Sequence, residues 1–269
     1  MTNTLEVKLE SEIRYQRERA MRSDAVSRTP SHVVERYRQH RLRRFFSKEF
    51  VFWALGKLDD KVVLDFGCGE GHMTTEMALL GARVTGIDVS PDLIEMAQRR
   101  AELDEVEERV RFAVQDVLVT APGIEAFDFV VCTDVLHHTD VEAVIPILHR
   151  CLKPGGKLIA REPVSLSKHF QKVRDCLPID KEASPGDRQL NTKDLEEICR
   201  LFSDSEITYF NLWGRFSRFL GNANRIDRGH ALTKAAMLTL LGTDWLVASA
   251  LPYFRRFYGE VVIVASKAA

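Results

Sequence analysis

Apolar positions along the chain change their period near Leu58. Before it, Val33, Val34, Tyr37, Leu42, Phe45, Phe46, Phe50, Phe52 and Trp53 recur at roughly helical spacing. Thr29-Pro30-Ser31-His32 predicts a helix start with Pro30 in the first turn. From Lys61 onward, short apolar runs alternate with helical stretches. Strands are expected at Lys61–Phe66, Arg83–Asp88, Val110–Val114, Phe127–Thr133 and Lys157–Glu162. Helices are expected at His72–Leu80, Pro91–Leu103 and Val141–Leu152, the last carrying an internal Pro146 that can kink it. Past Pro163 the pattern loosens. A helix begins at Asn191-Thr192, either residue serving as cap, and runs to about Leu201, and two more strands read as Glu206–Phe210 and Glu260–Ser266.

Strands joined by helical crossovers predict an α/β fold with a mostly parallel sheet covered on both faces. Near-continuous apolar runs such as Val62-Val63-Leu64 fit a sheet buried on both sides. With 269 residues, of which 45% are hydrophobic, the chain can build one generous α/β domain with appended elements. Residues 1–58 are expected to form an N-terminal helical cap and residues 59–269 the main domain. Lid insertions are expected at about 164–190 and 213–258.

The formal net charge of -1 gives no global pull toward nucleic acid or anionic membrane. The local basic stretch of Arg36, Arg38, His40, Arg41, Arg43 and Arg44 reads as a solvated helix face, with a phosphate- or carboxylate-binding surface as the alternative. Five cysteines without a Cys-x-x-Cys pair argue for reduced thiols, against a disulfide framework and against a zinc site, and Cys132 reads as a small core residue. No metal is expected. The N-terminal region lacks an apolar signal segment, and Glu6, Glu10, Glu12 and Glu18 interrupt its arginines. A cytoplasmic protein is therefore expected.

The chemistry is concentrated after the first strand, where Gly67, Gly69 and Gly71 form a turn that lets a ligand approach the backbone. Asp88 closes the next strand about 20 residues on, the offset of a ribose acceptor in nucleoside-binding α/β folds. It could also cap the helix near Ser90-Pro91 at the same time, with the ribose role favoured. The spacing is G-x-G-x-G rather than the G-x-G-x-x-G suited to a pyrophosphate. Asp65 directly upstream disfavours a pyrophosphate and suits a ligand carrying an ammonium and a sulfonium.

The segment Val62-Val63-Leu64-Asp65-Phe66-Gly67-Cys68-Gly69-Glu70-Gly71 resembles the first signature motif of class I S-adenosylmethionine-dependent methyltransferases. Val84-Thr85-Gly86-Ile87-Asp88-Val89-Ser90 resembles the family's second-strand motif, and Gln115-Asp116-Val117 the adenine-flanking segment. Phe127 to His138 resembles the fourth-strand motif, and Leu152-Lys153-Pro154-Gly155-Gly156-Lys157-Leu158 the loop before the fifth strand. The matched stretch, Lys61 to about Glu162, covers less than half of the chain and is closest to the small-molecule, quinone-type branch.

The resemblance implies a Rossmann-like seven-stranded sheet and S-adenosyl-L-methionine as cofactor. By it, Asp65 and Gly67 lie near the methionine moiety, while Gly69 and Gly71 shape the loop and Cys68 is a further cofactor-binding residue in it. Asp88 holds the ribose, and Val89, Gln115, Asp116 and Val117 surround the adenine. Thr133 and Val135 or His138 approach the sulfonium, with Tyr37 a further cover for the methionine end.

Transfer from a sulfonium is an in-line displacement in which positioning and desolvation carry much of the catalysis. An oxygen acceptor usually also needs a base, for which His137 and His138 at the fourth strand's end are candidates; the alternative is that the pair shapes the pocket. Glu162, at the fifth strand's end, could bind the acceptor, or cap and pair with Arg161. His72 is expected to be positional.

The acceptor lid is expected from the N-terminal helices, from Ser165–Gly186 with Lys168, His169, Arg174 and Asp180, and from the insert between Trp213 and Tyr258. That insert holds two helical stretches, Leu232–Leu241 and Asp244–Leu251, neither long enough to span a membrane. They read as a lid, an oligomer surface or a peripheral membrane contact through Arg255 and Arg256. A monomer or homodimer acting on a small, fairly apolar acceptor is expected, with oxygen favoured over carbon or nitrogen. The alternatives are a macromolecule methyltransferase and a cofactor-binding scaffold without transfer. Against the former, no RNA-binding platform accompanies the basic stretch, and Asp134-Val135-Leu136-His137 lacks the Asn/Asp-Pro-Pro-aromatic tetrad of many amino-methylating relatives.

Overall fold

The computed structural model describes residues 26–167, 188–212 and 231–269. Among the described residues, two short helices, Ser31–Gln39 (α1) and Ser47–Leu55 (α2), precede the sheet. The alternation then runs Val62–Phe66 (β1), His72–Leu79 (α3), Arg83–Asp88 (β2), Pro91–Leu103 (α4), Val110–Val114 (β3), Phe127–Thr133 (β4), Val141–Cys151 (α5) and Leu152–Pro163 (β5). Thr192–Arg200 (α6), Asp204–Phe210 (β6), Ala231–Ala250 (α7) and Glu260–Ser266 (β7) complete it. The seven strands lie in the order β3-β2-β1-β4-β5-β7-β6. β1 to β5 are parallel, and β7 enters antiparallel between β5 and β6. The order reverses at β1, which makes the carboxyl ends of β1 and β4 the crevice where such sheets bind ligands.

Because successive strand residues face opposite sides, each apolar run feeds two cores. Leu64, Val130, Leu158 and Ile263 face α5 and α6, meeting Val144, Ile145, Leu148, Leu195 and Ile198. Val63, Val131, Ile159 and Val262 face the other way, onto Tyr37, Val51, Phe52, Leu55 and Met77. The N-terminal helices therefore share a core with the sheet. Each such aliphatic side chain contributes about 1.5–3 kcal/mol by leaving water.

Local signals account for several element ends. Ser90 caps α4, accepting from the Leu93 amide at 3.4 Å, with Pro91 in the first turn. Asn191 caps α6 in a capping box with Asp194. α5 runs through Pro146.

Three expectations about elements are corrected. Pro30 occupies the cap position of α1 rather than its first turn. The neighbouring Thr29 binds Asp104 through its amide at 2.7 Å and its hydroxyl at 2.6 Å. β5 begins at Leu152, not Lys157, because Leu152 already pairs with Phe127 ahead of the Gly155-Gly156 turn. The two helical stretches of the insert form one helix, α7. Gly242 costs a helix only about 1 kcal/mol, and α7 buries Met237 and Leu241 against Phe45 and Phe46.

The basic stretch is not a uniformly solvated face. Arg36 pairs with the fully buried Glu49, which also accepts from the Leu42 amide at 2.8 Å. Arg43 lies over Trp53 at 5.4 Å and Arg44 over Trp245 of α7 at 4.5 Å. No helix among the described residues is long and apolar enough to cross a membrane.

Candidate active site

The glycine loop turns off β1 and crosses the end of β2. The amides of Gly67 and Cys68 both donate to the Ile87 carbonyl, at 2.9 and 3.0 Å. Gly67 has φ +70, and a Cβ there would lie 2.2 Å from Val135 Cγ2, so only glycine lets β4's exit pack this closely. Gly69 has φ +52 and opens on free space, with no atom within 4 Å of where a Cβ would stand. Gly71 ends the loop as the cap position of α3, its amide donating to the Cys68 carbonyl at 2.9 Å. Cys68 is buried; burial and the nearby Asp65 and Asp88 push its thiol well up, so it packs rather than reacts.

Asp88 is drawn toward this loop. Its Oδ2 accepts from the Gly69 amide at 3.0 Å and its Oδ1 from the Ser90 amide at 2.9 Å. The helix cap is Ser90 itself, which leaves Asp88 at the crevice edge. The Gln115 amide donates to the Asp88 carbonyl at 2.8 Å, bringing the exit of β3 alongside that of β2. Asp116 accepts from the Leu118 amide at 2.8 Å, Val117 is buried, and Val89 is half-buried. Asp88 and Val89, and Gln115 to Val117, thus follow the carboxyl ends of the adjacent strands β2 and β3.

Asp65 lies on β1, next to β2 in the sheet. It is fully buried, and its Oδ2 accepts from Thr74 Oγ1 of α3 at 2.5 Å. Its Oδ1 has no hydrogen-bond partner among the described residues. Burial pushes its carboxyl up to about 7, partly offset by the Thr74 hydrogen bond. A buried carboxylate oxygen without a donor fits a cationic ligand group, which would restore both its hydrogen bonding and its ionisation. The backbone at Gly69 is likewise open, with no atom within 4 Å of a Cβ position. Tyr37 lies nearby, stacked on Phe52 with ring centroids 4.3 Å apart, and Lys48 Nζ lies 5.3 Å from its ring. Lys48 also pairs with Glu76 of α3 at 2.7 Å. Burial and Glu76 hold the Tyr37 hydroxyl well above the usual phenol range.

The third wall is the exit of β4. After Thr133 the chain passes through Asp134 at φ 56, then Val135, into a 3-10 turn Leu136–His138. Glu162 of β5 organises this turn from beneath. Fully buried, it accepts the Val135 amide at 3.0 Å and the Leu136 amide at 2.9 Å on Oε1, and meets His137 Nδ1 at 2.7 Å on Oε2. With the carboxylate accepting, His137 carries its proton on Nδ1. His138 is half-buried, its ring centroid 4.0 Å from that of His137.

Glu162 does not pair with Arg161, because neighbouring strand residues point to opposite faces. Arg161 instead pairs with Asp134, and with Glu260 at 3.3 Å. Glu162→Ala is expected to destabilise the fold by about 2–4 kcal/mol, since the Val135 and Leu136 amides and His137 Nδ1 lose their acceptor in a buried site. Urea denaturation checks this, and an unchanged midpoint would refute the capping role.

Residues 57–207 match the methyltransferase-domain family, more than half of the chain. The chain belongs to the class I, S-adenosylmethionine-dependent methyltransferase family. A ubiquinone biosynthesis O-methyltransferase of Coxiella burnetii is 36% identical over 102 residues, an alignment covering 38% of this chain and 43% of that protein. The chain thus matches less than half the length of this curated relative. Phosphoethanolamine N-methyltransferase 2 of Haemonchus contortus, solved with S-adenosyl-L-methionine, superposes with a TM-score of 0.55 at 22% identity, covering 87% of this chain and 60% of that one. Geranyl diphosphate C-methyltransferase of Streptomyces coelicolor A3(2) gives a TM-score of 0.56 at 18% identity, covering 82% and 75%. At these identities the two solved structures establish the shared fold.

The methyltransferase's glycine loop, Asp65, Asp88, Gln115 to Val117, and Thr133 to His138 therefore lie at the carboxyl ends of the neighbouring strands β1, β2, β3 and β4. His72 is exposed beside Glu70, its Nε2 3.7 Å from a Glu70 carboxyl oxygen. Lys168, His169, Arg174 and Asp180, and the first part of the later insert, lie outside the described residues. Sequence reasoning missed Thr74, Lys48, Glu76 and Arg100. Thr74 follows the glycine loop by one helical turn, a spacing that could have flagged it. The others become neighbours of the site only through packing.

Proposed function

We propose that this protein transfers the methyl group of S-adenosylmethionine to a small, fairly apolar acceptor, with oxygen the favoured acceptor atom. The observation that carries the cofactor is Asp65, a buried carboxylate with one oxygen lacking a partner, opposite the two-amide cradle of Asp88. In this reading Asp65 receives the cofactor's ammonium, Asp88 its ribose hydroxyls, and Asp116 its adenine amine, with Val89 and Val117 against the ring. The cofactor supplies an electrophilic methyl on a sulfonium. The chain holds it in line and keeps water from the crevice.

The acceptor side rests on the exit of β4. His137 is buried and committed through Nδ1 to Glu162, whereas His138 stands beside it with more open surface. We assign His138 as the base that takes the acceptor hydroxyl's proton, with His137 and Glu162 as residues that position it. The similarity to ubiquinone biosynthesis O-methyltransferases supports an aromatic or quinone-like hydroxyl. The cap of α1 and α2 with α7 supports a lid, since Phe45 and Phe46 pack on Met237 and Leu241. Exposed Leu246, Leu251, Tyr253 and Phe254 next to Arg256 support a contact face for a second copy of the chain or for a lipid surface. The unpaired thiols among the described residues support a cytoplasmic setting.

Transfer of labelled methyl groups from S-adenosylmethionine into a metabolite extract, compared with RNA and protein fractions, tests the acceptor class. Label confined to the macromolecules would overturn the small-molecule assignment, and label in no fraction would favour a binding scaffold. His138→Ala is expected to lower kcat about 10²–10⁴-fold, with a shallower pH profile. A near-normal rate would leave positioning as the source of catalysis.

A further inference from the structure

We propose that Arg100 is a positioning residue for cofactor binding, linking the glycine loop to the segment 26–30 that precedes α1. The inference rests on the cofactor assignment above. Arg100 lies in the last turn of α4 and is only 4% exposed. Its Nε donates to the Glu70 carbonyl at 3.0 Å, in the middle of the Gly69–Gly71 turn, and its Nη1 donates to the Ser27 carbonyl at 3.1 Å. Nη2 lies 3.8 Å from a Glu70 carboxyl oxygen.

One turn further, Asp104 clamps Thr29 through both its amide and its hydroxyl, and Arg28 pairs with Glu105 at 3.2 Å. α4 also presses on the loop through Ala97, because a Cβ on Gly71 would stand 2.7 Å from Ala97's own. A single rigid helix thus holds the cofactor loop near its middle and the 26–30 segment near its end.

The geometry has a specific consequence. The Glu70 carbonyl belongs to the peptide that carries the Gly71 amide, and Gly69 presents its own amide to Asp88. Fixing the Glu70 carbonyl therefore fixes the orientation of the loop on which the cofactor lies. A guanidinium can bridge two carbonyls and a carboxylate in one plane, whereas an ammonium cannot reproduce that fork. Because the same guanidinium also holds Ser27, ordering of the loop and docking of 26–30 stabilise each other. Linkage then requires that cofactor binding tighten the docked segment, and the reverse.

Two measurements test this. Isothermal titration with S-adenosylhomocysteine is expected to show Kd raised about tenfold in Arg100→Met and by less in Arg100→Lys; one factor of ten is 1.4 kcal/mol. In turnover, KM for S-adenosylmethionine should rise with kcat within about twofold, a split that general destabilisation would not give. If the wild-type protein binds no S-adenosylhomocysteine, the cofactor assignment fails. If it binds and the folded Arg100→Met protein binds equally well, only the present inference fails.

The second measurement needs no substitution at Arg100. Limited trypsinolysis followed by mass spectrometry reads cleavage after Arg28 in the wild-type chain. Saturating S-adenosylhomocysteine is expected to slow that cut several-fold more than the cut after Arg200, which lies on α6 across the sheet. Thr29→Val should reduce this protection and raise Kd two- to threefold by loosening the Asp104 clamp. Equal protection at Arg28 and Arg200 would overturn the linkage.

Discussion

Asp88→Ala is expected to raise the Kd for S-adenosylhomocysteine by at least about a hundredfold. Hydrogen bonds to a charged partner are worth about 1.5–3 kcal/mol each, and a ribose diol offers two. The same carboxylate holds the Gly69 and Ser90 amides, so its loss also frees the loop on which the ligand rests. Asp88→Asn separates these effects. The amide oxygen can keep one backbone donor, but the charge and one acceptor position are gone, so binding should fall to an intermediate value. Isothermal titration reads both variants, and affinity within threefold of wild type in Asp88→Ala would remove Asp88 from the ribose site.

The second large effect is a pH dependence centred on Asp65. Burial places its carboxyl at about 7 in the ligand-free fold, against an ordinary value of 3.8. Thr74, Asp88, Lys48 and Glu76 are the groups that face it, and none outweighs the loss of water. The folded protein therefore keeps a proton that the unfolded chain releases above pH 4. Asp65's contribution to stability falls as pH rises from about 4 to about 7 and levels off beyond, by up to roughly 4 kcal/mol at 1.4 kcal/mol per tenfold change in proton affinity.

Cofactor binding has the opposite slope. An ammonium beside Oδ1 favours the carboxylate, so binding expels the proton, and affinity should rise almost tenfold per pH unit below 7 before flattening. Titrations near pH 6.5 in buffers of different ionisation enthalpy should report the released proton. Asp65→Asn should abolish the proton release and remove Asp65's share of the stability slope, while weakening binding at pH 8. A proton release that survives in Asp65→Asn would assign the ionisation elsewhere.

Sequence by itself determined the features whose cause is local. The alternation of short apolar runs with helical periods specified a parallel sheet buried on both faces, because side-chain direction follows directly from backbone period. The start of α6 at Asn191-Thr192 was legible because a cap bonds amides only two or three residues away. At Ser90-Pro91 the helix start was legible, but Asp88 read as the candidate for the cap that Ser90 provides. Gly67, Gly69 and Gly71, with Asp65 before them and Asp88 after, marked the crevice because the turn needs those backbone conformations whatever packs around it.

Only the tertiary structure decided contacts between residues far apart in the chain. Glu162 could be read as an acceptor ligand from its strand end, yet its oxygens are taken by Val135, Leu136 and His137 across the β4–β5 pair. The orphan oxygen of Asp65 emerges only once α3 brings Thr74 onto the other one. Arg36 looked like part of a solvated basic face until Glu49 was buried beside it. Arg100 is one of many arginines on a periodic helix until the Ser27 and Glu70 carbonyls converge on it. In each case the partner is selected by how two elements pack, and the desolvation that makes the contact matter exists only after they have packed.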